Sequence, residues 1–154
     1  MIVLLDLEKT VIESWDEPFI LWNNVDKIKH LLEEVQVKLG LMSWAVWDAK
    51  DKEIFNRTMR PGIEEALGLK FDDSLVWSMD DWAENVFKFH NKKVSRADLF
   101  DMFGKQEVLF VLSSCLPAFN GKNVLLLDDA VEHDRSFISH KNNCSVTIKN
   151  VLEL

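Results

Sequence analysis

Two short apolar runs that end in acids constrain this chain more than any other feature. Ile2-Val3-Leu4-Leu5 runs into Asp6, with Glu8 and Thr10 just beyond. Far downstream, Val124-Leu125-Leu126-Leu127 runs into Asp128 and Asp129. A run that short, without polar alternation, predicts a strand covered on both faces. Such strands belong to parallel sheets, whose ligands sit just past the carboxyl ends of the strands. Both acid groups fall there. A buried edge strand and a solvated turn would explain either run alone; its repetition favours a shared rim.

The segments between alternate in kind. Val11 to Asn24 fits no period and reads as an irregular flap. Asn23 or Asn24 is a candidate cap for a helix carrying Val25, Ile28, Leu31, Leu32 and Val35. Val37 to Ser43 predicts the second strand. Asp48 or Asp51 opens a helix, Pro61 interrupts it, and Gly62 to Leu67 adds a piece ending at Gly68. Ser74 to Met79 predicts the third strand. Ser78 with Asp81, and Ser95 with Asp98, resemble capping boxes. A helix begins at Lys105 and is ended by Pro117. Val124 to Leu127 is the fourth strand, Asp134 to His140 a short helix, and Cys144 to Ile148 a last strand. The expected fold is therefore α/β: a three-layer, Rossmann-like arrangement with a five-stranded parallel sheet.

With 154 residues the chain suits one domain, residues 1–154, and nothing marks a linker. A net charge of −8 argues against non-specific nucleic-acid binding, which needs a basic footprint. It leaves room for a single phosphate held by a few donors. Cys115 and Cys144 form no metal spacing, and Cys115 falls in an apolar helical pattern as a buried thiol. No apolar run reaches bilayer length, and the first run turns acidic too soon for a signal peptide. A cytoplasmic location with no membrane partner is the expectation.

Asp6, Glu8, Ser43, Lys105, Asp128, Asp129 and Asp134 all fall at strand or helix ends expected on one rim. Crowded acids repel, and a divalent cation relieves the repulsion; hard oxygen donors select magnesium over softer metals. The cation in turn attracts phosphate. Ser43 can hydrogen-bond a phosphate oxygen, and Lys105 adds charge at a helix start that already favours anions. Asp6 is then placed to attack phosphorus, and Glu8 to act as acid and base.

In order and spacing these residues resemble the haloacid dehalogenase (HAD) superfamily of phosphohydrolases. Its Asp-x-Asp-x-Thr motif is matched by Asp6-Leu7-Glu8-Lys9-Thr10, its Ser/Thr motif by Ser43, its lysine by Lys105, and its acid pair by Asp128-Asp129 with Asp134. The resemblance implies Asp6 as nucleophile and Glu8 as acid/base. It implies metal ligation by Asp6, the Glu8 backbone carbonyl and Asp129, with Asp128 or Asp134 assisting. Thr10, Ser43, Trp44 and Lys105 form the implied substrate-binding set, and Mg2+ the implied cofactor. Glu8 departs from the pattern, which has Asp there. One added methylene shifts the carboxyl, and a misplacement of about 1 Å can cost on the order of a hundredfold in rate. That departure supports a second reading, a HAD-like fold that binds a phosphorylated ligand or a partner and turns over poorly. Lys92 and Lys93 are alternatives to Lys105.

The intervals between motifs are too short for a large cap. Capless relatives resemble enzymes acting on exposed groups, so nucleotides, nucleic-acid ends and phosphoproteins are the substrate classes considered. The six tryptophans read first as packing for core and flap, though several could border the site and stack on a base. His30, His90, His133 and His140 are scattered, with His133 nearest the acids. A receiver-like phospho-acceptor domain ranks last, because its acid pair belongs on the first strand.

Overall fold

The two apolar runs are adjacent strands in a computed structural model of the chain, which describes residues 1–154 apart from the side chains of Asp101 and Met102. The strands are β1 (Ile2–Leu5), β2 (Lys38–Met42), β3 (Phe71–Trp77), β4 (Asn123–Asp128), β5 (Arg135–Ser139) and β6 (Cys144–Asn150). They form one sheet in the order β3-β2-β1-β4-β6-β5. Every neighbouring pair is parallel except β5 with β6. The helices are α1 (Trp22–Leu31), α2 (Ala49–Thr58), α3 (Arg60–Leu67), α4 (Met79–His90) and α5 (Gly104–Ser113).

Alternation along the central strands feeds two cores. Val3, Leu5, Leu39, Leu41, Leu125 and Leu127 pack against α1, α2 and α3. Ile2, Leu4, Met42, Val124 and Leu126 face the other way, onto α4 and α5. A strand buried on both faces has no polar position to show, hence the unbroken apolar runs. The chain is therefore an α/β protein with helices on both faces of a single mixed sheet.

The sheet has six strands and is mixed, against the expected five parallel ones. The difference lies in Arg135–Ser139, expected as a helix and found as β5. Phe137 packs inward while Ser136 and Ile138 point out, a period of two. Asn143 takes a left-handed φ of 45° in the turn that leads into β6. So short a turn can only join antiparallel neighbours, since a parallel connection needs a crossover of a dozen or more residues.

The first helix also starts earlier than expected, with Leu21 rather than an asparagine at its cap. Asn24 is otherwise engaged: its amide donates to the carbonyls of Lys9 (3.3 Å) and Thr10 (3.1 Å). Asp48 does cap α2, Gly68 ends α3 with φ 69°, and Ser78 with Asp81 forms the capping box of α4. Ser95 and Asp98 exchange the same pair of bonds, and a stretch of π-helical backbone follows to Phe103.

β3 begins at Phe71, before the expected Ser74, and bulges where it passes β2. Gly40 makes the bulge possible. A Cβ there would lie 2.8 Å from the Leu75 Cβ and 2.9 Å from its carbonyl oxygen.

Candidate functional site

Strand register brings the acids together. Leu5 pairs with Leu127, and the Asp6 N–H donates to the Leu127 carbonyl at 3.1 Å. The next residues, Asp6 and Asp128, therefore emerge side by side. The chain leaves β3 on one flank of β1 and returns as β4 on the other. The crevice between β1 and β4 is thus the switch point of the sheet, where side chains meet with no crossover in the way. Carboxylate oxygens of Asp6, Asp128 and Asp129 lie within 4.8 Å of one another.

Lys105, on the first turn of α5, completes the cluster. Its Nζ is 2.8 Å from Asp6 Oδ1 and 2.6 Å from Asp128 Oδ2. All three side chains are nearly closed to solvent. Burial works against the ammonium, but Asp6 and Asp128 outweigh it and hold Lys105 above its ordinary value. One lysine does not balance three carboxylates. Burial, followed by the charges of Asp6 and Asp128, pushes the Asp129 carboxyl up to about 6.

The loop after β1 is built around this point. Lys9 turns the chain with a φ of 62°, and the amides of Thr10, Val11 and Ile12 all point to the Leu7 carbonyl. Thr10 is thereby buried, and its hydroxyl donates to Asp6 Oδ2 at 3.0 Å. It positions Asp6 and does not line the cavity. The Glu8 carboxylate accepts the Trp15 N–H at 2.8 Å, which ties it to the flap. Ser43, at the end of β2, accepts the Ala45 N–H through Oγ at 3.2 Å and keeps its own proton to donate.

Asp6, Glu8, Ser43, Trp44, Lys105, Asp128 and Asp129 line one cavity of about 750 Å3. Asp134 does not join them. It sits beyond the cavity, accepting a long hydrogen bond of 3.4 Å from the Asn150 amide. It precedes β5, the edge strand beyond β6 and two places from β4, so it stands to the side of the cluster. Lys92, the alternative to Lys105, lies over the Phe103 ring at 4.9 Å. Phe100 and Glu107 also line the cavity and were not anticipated. Glu107 follows Lys105 by two positions on α5, a spacing that puts helical side chains on different faces, so neither it nor Phe100 had a sequence signal.

The donor set fits a small hard cation. Oxygens around magnesium or calcium lie about 2.0–2.6 Å from the ion, so donors within 4.8 Å of one another can share one. Three carboxylates beside one ammonium also leave negative charge for a divalent ion to balance. In comparisons with known proteins, no family model, no curated protein and no solved structure matches the chain. Among the described residues no helix is long and apolar enough to cross a membrane.

Proposed function

We propose that this chain is a magnesium-dependent phosphomonoesterase of the HAD type, with a Rossmann-like fold and Asp6 as nucleophile. The observation behind this reading is the convergence of Asp6, Asp128 and Asp129 on Lys105 at the switch point of the sheet. Asp6, Asp128 and Asp129, with the Glu8 backbone carbonyl, would hold the ion. Bound there, magnesium neutralises the acids and polarises a phosphoryl oxygen.

Asp6 attacks phosphorus; a bond forms between its carboxylate oxygen and phosphorus as the bond to the leaving oxygen breaks. Glu8 donates its proton to that oxygen. Once ionised, Glu8 takes a proton from water, which attacks the same phosphorus, releases phosphate and restores Asp6. Lys105 and Ser43 face the phosphoryl oxygens, and Thr10 keeps Asp6 in one rotamer.

The test is phosphate release from p-nitrophenyl phosphate with magnesium and with EDTA. Release that needs magnesium and is lost in Asp6→Asn is the expected result. An Asp6→Asn protein as active as wild type ends this reading. A second reading, a phospho-ligand or partner-binding protein with poor turnover, draws on Glu8 and its tether to Trp15. Glu8→Asp creating activity in an inactive chain is the result that would favour it.

A further inference from the structure

Three of the six tryptophans use their indole N–H on backbone carbonyls: Trp47 on Trp44, Trp77 on Ser74 and Trp82 on Leu41. These hold loops and core together. Trp44 has a different setting. It lines the acidic cavity, and its ring centroid lies 5.7 Å from Lys105 Nζ. Phe100 lines the same cavity and remains 50% exposed, with Trp47 edge-on to it at 6.3 Å. Two aromatic rings, one following β2 and one preceding α5, thus border a single concave site. Rings left open to water in a cavity offer stacking to any flat group that enters.

Charge limits what that group can be attached to. The cavity wall carries five carboxylates, Asp6, Glu8, Glu107, Asp128 and Asp129, against Lys9 and Lys105. Lys9 is already paired with Glu13, and Lys105 with Asp6 and Asp128. One phosphate is served by Lys105 and a bound cation. A second phosphate would face acids, with Lys9 the one further cation among the described lining residues and that lysine already paired with Glu13. A polynucleotide lacks the basic track it needs to bind tightly.

We propose that the substrate is a nucleoside monophosphate whose base stacks on Trp44 and Phe100. The phosphate half of this assignment rests on the phosphomonoesterase reading; the base half rests on the two rings.

The experiment is a calorimetric titration of the full chain in magnesium with AMP and with ribose 5-phosphate, alongside initial rates for both. Stacking predicts AMP binding at least about tenfold tighter than ribose 5-phosphate, with a matching ratio in kcat/KM. In Phe100→Leu and Trp44→Leu that ratio falls toward one. Phe100 is half exposed, so its variant keeps the test open even where Trp44→Leu fails to fold. Equal affinity for AMP and ribose 5-phosphate overturns the base site, while phosphate release from both still upholds the phosphatase. Tight AMP binding with no release upholds the base site and overturns the phosphatase. A 5′-phosphorylated oligonucleotide or a phosphoserine peptide turned over with higher kcat/KM than AMP overturns the mononucleotide assignment.

Discussion

Thr10 Oγ1 donates to Asp6 Oδ2 at 3.0 Å, in a setting where both side chains are buried. Three residues of tight turn, Leu7 to Lys9, separate them, so the hydroxyl holds the carboxylate from its own loop. Thr10→Val keeps the shape and removes the donor. A hydrogen bond to a charged group contributes about 1.5–3 kcal/mol. The expected outcome is a loss of stability in that range by urea denaturation. Under the proposed mechanism kcat also falls by at least about tenfold, because Asp6 gains freedom to leave its attacking rotamer. A Thr10→Val protein with unchanged stability and kcat would show that the hydroxyl does not position Asp6.

Lys105 stands between Asp6 and Asp128, and removing it leaves two buried carboxylates without their cation. Breaking a buried pair from one side costs about 3–5 kcal/mol. Lys105→Met is therefore expected to lower the melting temperature of metal-free protein sharply. Magnesium should restore more stability to this variant than to wild type. Equal magnesium-induced shifts in the two proteins would mean that lysine and cation do not serve the same carboxylates.

Asp129 makes that cation effect depend on pH. Its carboxyl stands at about 6 in the folded chain against an ordinary value of 3.8. Between those values the folded state binds more proton than the unfolded state, so this group favours folding at low pH. Its contribution disappears as pH rises through about 6. A divalent ion competes with the proton and is most useful once the proton has left. The magnesium-induced shift in melting temperature should be larger at about pH 7.5 than at about pH 5, and Asp129→Asn should flatten the difference.

Gly40 meets Leu75 where β3 bulges past β2. A Cβ at 2.9 Å from a backbone oxygen cannot be absorbed by rotating a side chain. Gly40→Ala should cost about 1–3 kcal/mol, the usual range for forced overpacking. Guanidinium unfolding measures it, and a neutral result would mean that the bulge shifts freely.

The capping box of α4 is a milder case. Ser78 Oγ accepts the Asp81 N–H at 3.1 Å, and Asp81 Oδ2 accepts the Ser78 N–H at 2.9 Å. Ser78→Ala should cost about 1 kcal/mol. Asp81→Ala should cost more, since it also frees Lys52, 2.7 Å away on α2. Thermal melts of the two variants rank them; the reverse order would contradict the shared role of Asp81.

Most of what positions the cluster was legible in the sequence. Ile2 to Leu5 and Val124 to Leu127 announced central strands because they lie between two helical layers, and the acids after them could only emerge at the rim. β5 was not legible, because it is short and Arg135-Ser136-Phe137-Ile138-Ser139 does not alternate in polarity: its outward face carries the apolar, exposed Ile138. Asp134 is equivalent to Asp128 as an assisting ligand by spacing alone; the place of β5 at the sheet edge, beyond β6, separates them. Thr10 was placed as a substrate contact because its hydroxyl was visible in the motif while the turn at Lys9 was not. Phe100 entered the site through its backbone path before α5, which no local pattern records.

The pairing of β1 with β4 has a consequence for how the chain is made. β1 leaves the ribosome with Asp6 and its loop more than a hundred residues before its neighbour β4. Until that neighbour docks, Asp6 has neither Asp128 nor Asp129 beside it. The acid cluster and the pairing of β1 with β4 thus form together, and a nascent chain stopped before residue 123 would hold Asp6 without the two acids that crowd it.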